Sequence, residues 1–204
     1  MSCGDRERWN ERYRGGTAQE PGPPSDLLRL WLPRISPGRA LDVACGSGRN
    51  AVYLAAHGFT VDAVDTSDAA LRIGAEHTRD PPLRIRWLQR DLTDGFIPDR
   101  PYSLIVMIRY VDCALLRRLA HHLTPGGWLI CEEHLRWDGE IAGPKSSQFR
   151  VRPGELARTL AELECRFMEE GLVDSTDGPP LALARGVFQA PLRPRRESGA
   201  APAD

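Results

Sequence analysis

The sequence predicts an α/β protein with a doubly wound, mostly parallel, seven-stranded sheet (a Rossmann-like fold), and two observations carry that prediction. Five strand-like runs, "RALDVAC", "FTVDAVD", "RIRWLQRD", "YSLIVMIR" and "TPGGWLICEEHL", stand among helix-like segments, which implies right-handed βαβ units with helices on both faces. Two further runs, "CRFMEEG" and "LALARGVFQA", are joined through "DSTDGPP", too short for a crossover helix, so the last strand is expected to be antiparallel.

The elements follow in order. "DRERWNERYR" reads as a helix capped at Asp5 and stopped by Gly15-Gly16; with the Pro-rich "GTAQEPGPP" it makes residues 1–24 an N-terminal helix and linker, the helix either packing on the domain or serving as a lid. Ser25 caps a second helix with Leu27, Leu28 and Trp31 on one face, opening a single domain over 25–190. "RNAVYLAAHG" is a helix closed by Gly58, "SDAALRIGAEHT" a capped helix, and "DCALLRRLAHHL" a helix with Asp112 at its N-cap and His121 and His122 complementing its C-terminal dipole. A last helix, "PGELARTLAEL", has Pro153 near its first position. Residues 191–204 have the composition of a disordered tail.

Composition excludes several classes of function. The chain has 204 residues, 41% hydrophobic and 27% charged, with 27 Lys and Arg against 28 Asp and Glu; nothing in this balance selects nucleic acid. Apolar runs are strand-sized, so no membrane partner is expected. The charged start lacks an apolar leader core, which points to the cytoplasm. Five cysteines without a CxxC pair read as reduced thiols, with neither a disulfide framework nor a metal site. A monomer or homodimer is expected.

Chemistry concentrates in "LDVACGSGRN", Leu41 to Asn50. Gly46, Gly48 and Ala51 satisfy the loose pattern of a dinucleotide-binding turn, but a pyrophosphate is disfavoured beside the carboxylate of Asp42. A phosphate-free ligand with an ammonium group is favoured there. Asp65 ends the second strand, 19 residues beyond Gly46, where a carboxylate accepts from ribose hydroxyls. Asp91 in "LQRDL" stands where an adenine amino group would be met, with Leu92 offering backbone N–H and apolar contact.

With those residues in hand the sequence resembles the class I S-adenosylmethionine-dependent methyltransferases, through "LDVACGSGRN", "VDAVDTS", "QRDL" and "LTPGGWLI". The combination "CGSGRNAVYLAAHGFTVDAVD" with upstream "RWNERYR" looks most like the branch of tellurite-resistance and thiopurine methyltransferases. The resemblance implies S-adenosyl-L-methionine as cofactor and S-adenosyl-L-homocysteine as product. It implies contacts from Asp42, Ala44, Gly46 and Gly48 to the methionine part, Asp65 and Thr66 to the ribose, Asp91 and Leu92 to the adenine, and Ile108 to Tyr110, Arg109 included, beside the sulfonium. Cys45, Asn50 and Ser67 complete the expected set, the Cys45 thiol itself serving packing.

Methyl transfer mainly needs donor and nucleophile held in line in a dry pocket, with a base only for a protonated nucleophile. Candidate catalytic residues are Tyr110, Glu133 and His134, with Asp112 and Glu132 also near these strand ends. Alternation allows only one of Glu132 and Glu133 to face the cleft, leaving the other solvated, and the alternative for His134 is a strand-end surface residue. Trp9, Arg12 and Tyr13 share one helical face and, by the resemblance, form a lid on the cofactor. The loop from Trp137 to Arg152 is a second closure, in which Phe149, Arg150 and Arg152 either contact the acceptor or anchor the loop. "IRYVD" replaces the "NPPY" of flipped-base enzymes, so the expected partner is a small-molecule acceptor. A non-catalytic S-adenosylmethionine-binding subunit and a nicotinamide-dependent oxidoreductase are the other readings open at this point.

Overall fold

The computed structural model describes residues 3–15, 21–174 and 179–192. Its seven strands are β1 (Arg39–Val43), β2 (Thr60–Asp65), β3 (Ile85–Gln89), β4 (Tyr102–Ile108), β5 (Leu123–His134), β6 (Glu164–Val173) and β7 (Leu181–Gln189), and they form one sheet in the order β3-β2-β1-β4-β5-β7-β6. The first five run parallel, and β7 is antiparallel to both β5 and β6, as the short final connection requires.

Alternation along the strands sorts the core into two layers. Ala40, Val61, Ala63, Leu104 and Val106 pack under α2 (Asp26–Trp31), α3 (Arg49–Ala56) and α4 (Asp68–His77) through Leu28, Leu54 and Leu71. Leu41, Val43, Ile105, Met107 and Cys131 face the other way, under α5 (Cys113–Ala120) and α6 (Glu155–Thr159), through Leu115, Leu119 and Leu156. Between β3 and β4 the chain crosses without a helix.

The capping signals in the sequence are realised as hydrogen bonds. Ser25 Oγ accepts from the Leu28 amide, Ser67 Oγ from Ala70, and an Asp112 carboxylate oxygen from Leu115 at 2.8 Å. Two boundaries differ from expectation. The first helix, α1 (Cys3–Gly15), starts early enough to contain Asp5. The last helix has five residues, because Gly154 adopts a left-handed φ of 70° as its N-cap and leaves Pro153 outside. Gly16, part of the "DSTDGPP" connection and residues 193–204 of the expected tail lie outside the described residues.

Candidate functional site

The carboxyl ends of β1, β2 and β4 meet at the Gly turn, and the geometry there follows from backbone sterics. Gly46 and Gly48 have φ of 58° and 86°, and Ala44 is held at 53°. A Cβ on Gly48 would strike the Trp87 indole, which also packs on Gly74 of α4. A Cβ on Gly46 would strike the Tyr13 hydroxyl. Both glycines are therefore required twice, by torsion and by close approach.

Two carboxyl groups converge on this turn. Asp65 accepts from the Gly46 amide through Oδ2 and from the Ser67 amide through Oδ1, each at 2.8 Å, and its burial raises its pKa. Asp42 is 1% exposed with Oδ2 unpartnered, and burial pushes its carboxyl up to about 7 against the pull of the Ala51 amide and Arg49. Cys45 is buried beside them and its thiol is pushed up, by burial first, which suits packing and not reactivity.

The N-terminal helix lies on this turn. Trp9, Arg12 and Tyr13 do share a face: the Arg12 guanidinium lies 5.3 Å from the Trp9 ring centre, and the Trp9 and Tyr13 rings are 6.5 Å apart. Tyr13 reaches Gly46, and burial together with the charge of Asp65 raises its pKa to about 12. Arg12 stays exposed. What fixes the helix is Asn10, which sequence reasoning missed. Its Oδ1 accepts from Ser67 Oγ at 2.7 Å and from the Ala69 amide at 3.3 Å, while Nδ2 donates to Asp68 at 2.7 Å.

Other expected cofactor residues divide. Thr66 is buried next to Asp65. Asp91 follows β3 and accepts from Thr93 Oγ1 and N at 2.7 and 2.9 Å, contacts that hold its carboxyl below the usual range, the hydroxyl most of all. Leu92 buries its side chain in the core, which leaves its backbone for recognition. Asn50 Oδ1 accepts from the Ser25 amide at 2.9 Å and braces α2, and Ser67 Oγ donates to Asn10 Oδ1 and accepts from the Ala70 amide.

At the ends of β4 and β5, Ile108 is 8% exposed, and Arg109 takes a left-handed φ of 62°. The Arg109 amide donates to the Glu132 carbonyl at 2.6 Å and its Nε to Glu132 Oε1 at 3.2 Å. Tyr110 is half-buried against the α5 layer. Glu132 and Glu133 do point to opposite faces, but neither is solvated: they are 5% and 0% exposed, because Arg109 covers one and the α5–α6 layer the other. Neither oxygen of Glu133 has a partner. His134 is buried and not on the surface; its Nδ1 is unpartnered, Gly143 lies against its ring, and burial lowers its pKa to about 4, helped by Arg109 and Arg150.

Arg150 resolves the two readings of the second loop in favour of an anchor. Its Nε, Nη1 and Nη2 donate to the carbonyls of Pro144, Leu135 and Ala142 at 2.8, 3.0 and 2.9 Å. Phe149 remains exposed, as does Arg152. Beneath this loop is a cleft of about 680 Å³ lined by Trp137, Glu140, Gly143 and Lys145 among others, and it contains none of the acids of the Gly turn. Among the described residues no cluster of His, Cys, Asp and Glu suits a metal ion, and no helix is long and apolar enough to cross a membrane.

Residues 40–127, from β1 to the Gly126-Gly127 turn in β5, match the family model described as a methyltransferase domain. That match supports the resemblance to the class I S-adenosylmethionine-dependent methyltransferases over this part of the chain. The fold is that of TehB from Haemophilus influenzae, with a TM-score of 0.72 at 19% identity over 89% of this chain and 67% of that one. The N-methyltransferase NodS from Bradyrhizobium japonicum WM9, in complex with S-adenosyl-l-homocysteine, superposes with a TM-score of 0.60 at 22% identity, covering 81% of this chain and 84% of that chain. A curated methyltransferase relative, the ubiquinone biosynthesis O-methyltransferase of Rickettsia akari, is 27% identical over 95 residues, 44% of this chain and 38% of its own length. The chain thus spans less than half the length of that relative, and Asp42, Asp65 and Asp91 all fall within residues 40–127 of the family-model match.

Proposed function

We propose that the protein transfers the methyl group of S-adenosyl-L-methionine to a small-molecule acceptor. The observation that carries this reading is the buried, unpartnered Oδ2 of Asp42, on the strand that feeds the turn where Asp65 accepts from the Gly46 amide. A cofactor with an α-ammonium group satisfies that oxygen. A pyrophosphate would meet two carboxyl groups instead, which disfavours a nicotinamide dinucleotide.

In this reading Ala44, Gly46 and Gly48 line the methionine part, Asp65 and Thr66 take the ribose, and Asp91 with the Leu92 backbone takes the adenine. Cys45 packs the turn. Ile108 and Arg109 flank the sulfonium, and Trp9, Arg12 and Tyr13 form a lid that Asn10 fastens to α4. Tyr13 rests on Gly46, which brings its ring to the turn that lines the methionine part. Tyr110, Glu133 and His134 border the acceptor, whose nucleophile takes the methyl in line as the C–S bond breaks and the bonding pair stays on sulfur, in a site from which the lid excludes water.

Calorimetry with S-adenosyl-L-homocysteine tests the reading. The wild-type protein should bind it, and Asp65→Ala should weaken binding by about tenfold or more, the effect of removing charge-assisted hydrogen bonds. Equal affinity for the two proteins refutes the site.

A further inference from the structure

Glu133 is the acid that cofactor binding leaves unused. It is fully buried and, apart from the pull of the nearby Tyr110 amide, neither oxygen meets a hydrogen-bond partner, a costly arrangement for a carboxyl group unless a ligand completes it. Sheet register fixes where it stands. Val43 pairs with Met107, and Met107 with Cys131, so Glu133 is level with Arg109 and lies two strands from the Gly turn. Two strand spacings are about 10 Å, so Glu133 stands apart from the acids of the Gly turn and on the acceptor side of the β4 end.

Every element packed around Glu133 contributes a group to the local charge. The turn after β4 brings Arg109 and the Tyr110 amide, the start of α5 brings Asp112, and β5 brings Glu132. Cys113 links Glu133 to α6, where Glu155 and Thr159 stand. Arg109 is the cation nearest to Glu133, and it is already paired with Glu132. The balance around Glu133 is negative, and burial with the neighbouring Glu132 raises its pKa well above the ordinary carboxylate range.

We propose that Glu133 faces the transferred methyl and selects an amine as the acceptor. The inference rests on the methyltransferase reading and names the substrate class of that site. An oxyanion acceptor would be repelled by Asp112, Glu132 and Glu155, and a hydroxyl acceptor would have to develop negative charge among the same carboxylates. An amine arrives as ammonium and finds an acid in need of a donor. The two cations, sulfonium and ammonium, ionise Glu133 on entry. The ammonium passes one proton to the Glu133 carboxylate, and the freed lone pair forms the N–C bond as the C–S bond breaks. That bonding pair stays on sulfur as a neutral thioether, the product leaves as a methylated ammonium, and Glu133 returns its proton to water.

Sinefungin tests this without knowledge of the acceptor, because it carries an ammonium-bearing carbon where S-adenosylmethionine carries the methyl sulfonium. Calorimetry should find sinefungin about tenfold or more tighter than S-adenosyl-L-homocysteine on the wild-type protein, as expected for one charged hydrogen bond. Glu133→Gln should bring the two ligands within about twofold of each other by removing that charge, with S-adenosyl-L-homocysteine affinity unchanged. A preference that survives the substitution, or no preference in the wild type, overturns the proposal. Should Glu133→Gln fail to fold, the wild-type preference for sinefungin must grow as pH rises, the direction in which Glu133 ionises, and a constant ratio overturns the proposal equally. Failure of both ligands to bind is a different result, and it refutes the methyltransferase reading itself.

Discussion

The buried acid in the Gly turn makes cofactor affinity depend on pH in a calculable way. Asp42 titrates near 7 in the free protein, so at pH 6 only about one tenth of the molecules hold it ionised, against about three quarters at pH 7.5. A ligand whose ammonium group needs the ionised form sees its affinity scaled by that fraction, which predicts about an eightfold weakening of S-adenosyl-L-homocysteine binding from pH 7.5 to pH 6. Isothermal titration across this window, with Asp42→Asn alongside, measures it: the variant should bind more weakly at pH 7.5 and show a shallower profile. The same shift acts on stability with a definite sign. A carboxyl whose folded pKa lies above its unfolded value of about 4 costs nothing below pH 4, and its cost grows as pH rises from 4 to 7, reaching on the order of 4 kcal/mol. His134, whose pKa is depressed, contributes in the opposite direction over part of this range, so the informative quantity is the difference between Asp42→Asn and wild type. Ligand-free Asp42→Asn should melt higher than wild type at pH 7.5, and the gap should close towards pH 4. A pH-independent affinity, or a gap that does not change with pH, would refute the argument.

Two further outcomes test the scaffold. Gly48→Ala forces a side chain into a φ of 86° and against the Trp87 ring, so it should cost about 2 kcal/mol or more in urea denaturation; Trp87→Ala in the same chain should restore only the steric part, and full restoration would contradict the torsional requirement. Arg150→Lys replaces a fork spanning three carbonyls with one ammonium, leaving buried acceptors without donors, and should cost roughly 2–4 kcal/mol while making the segment 136–149 more susceptible to limited proteolysis; an unchanged cleavage pattern would show that the loop is held by other contacts.

The fold was legible because its signals are local. Ser25, Ser67 and Asp112 precede helices at cap positions and act as caps, and the brevity of the last connection dictates the antiparallel β7. The acids at the ends of β1 and β2 were legible for the same reason, since strand ends and a Gly turn can be read within ten residues. Long-range pairings were not. Asn10 bonds to residues nearly sixty positions away, and nothing in "RWNERYR" marks it beyond being a poor helix former in mid-helix. Trp87 reads as an ordinary strand residue, yet it explains why both Gly48 and Gly74 lack side chains. The solvation of Glu132 and Glu133 was misjudged because alternation tells faces apart but says nothing about what covers each face, and here Arg109 and the α5–α6 layer cover both.

The two unpartnered carboxyl groups give the site a common logic. Asp42 faces the α3 layer from β1, and Glu133 faces the α5–α6 layer from β5, so they lie on opposite faces of the sheet and bracket the end of β4, where family resemblance puts the sulfonium. Burial raises the pKa of each, and each would ionise beside a positive charge. A cationic cofactor and a cationic acceptor entering together would therefore release protons. Methyl transfer removes the charge on sulfur but leaves the α-ammonium beside Asp42, so Asp42 would hold the product as it held the cofactor, and the change in charge would fall on Glu133 alone.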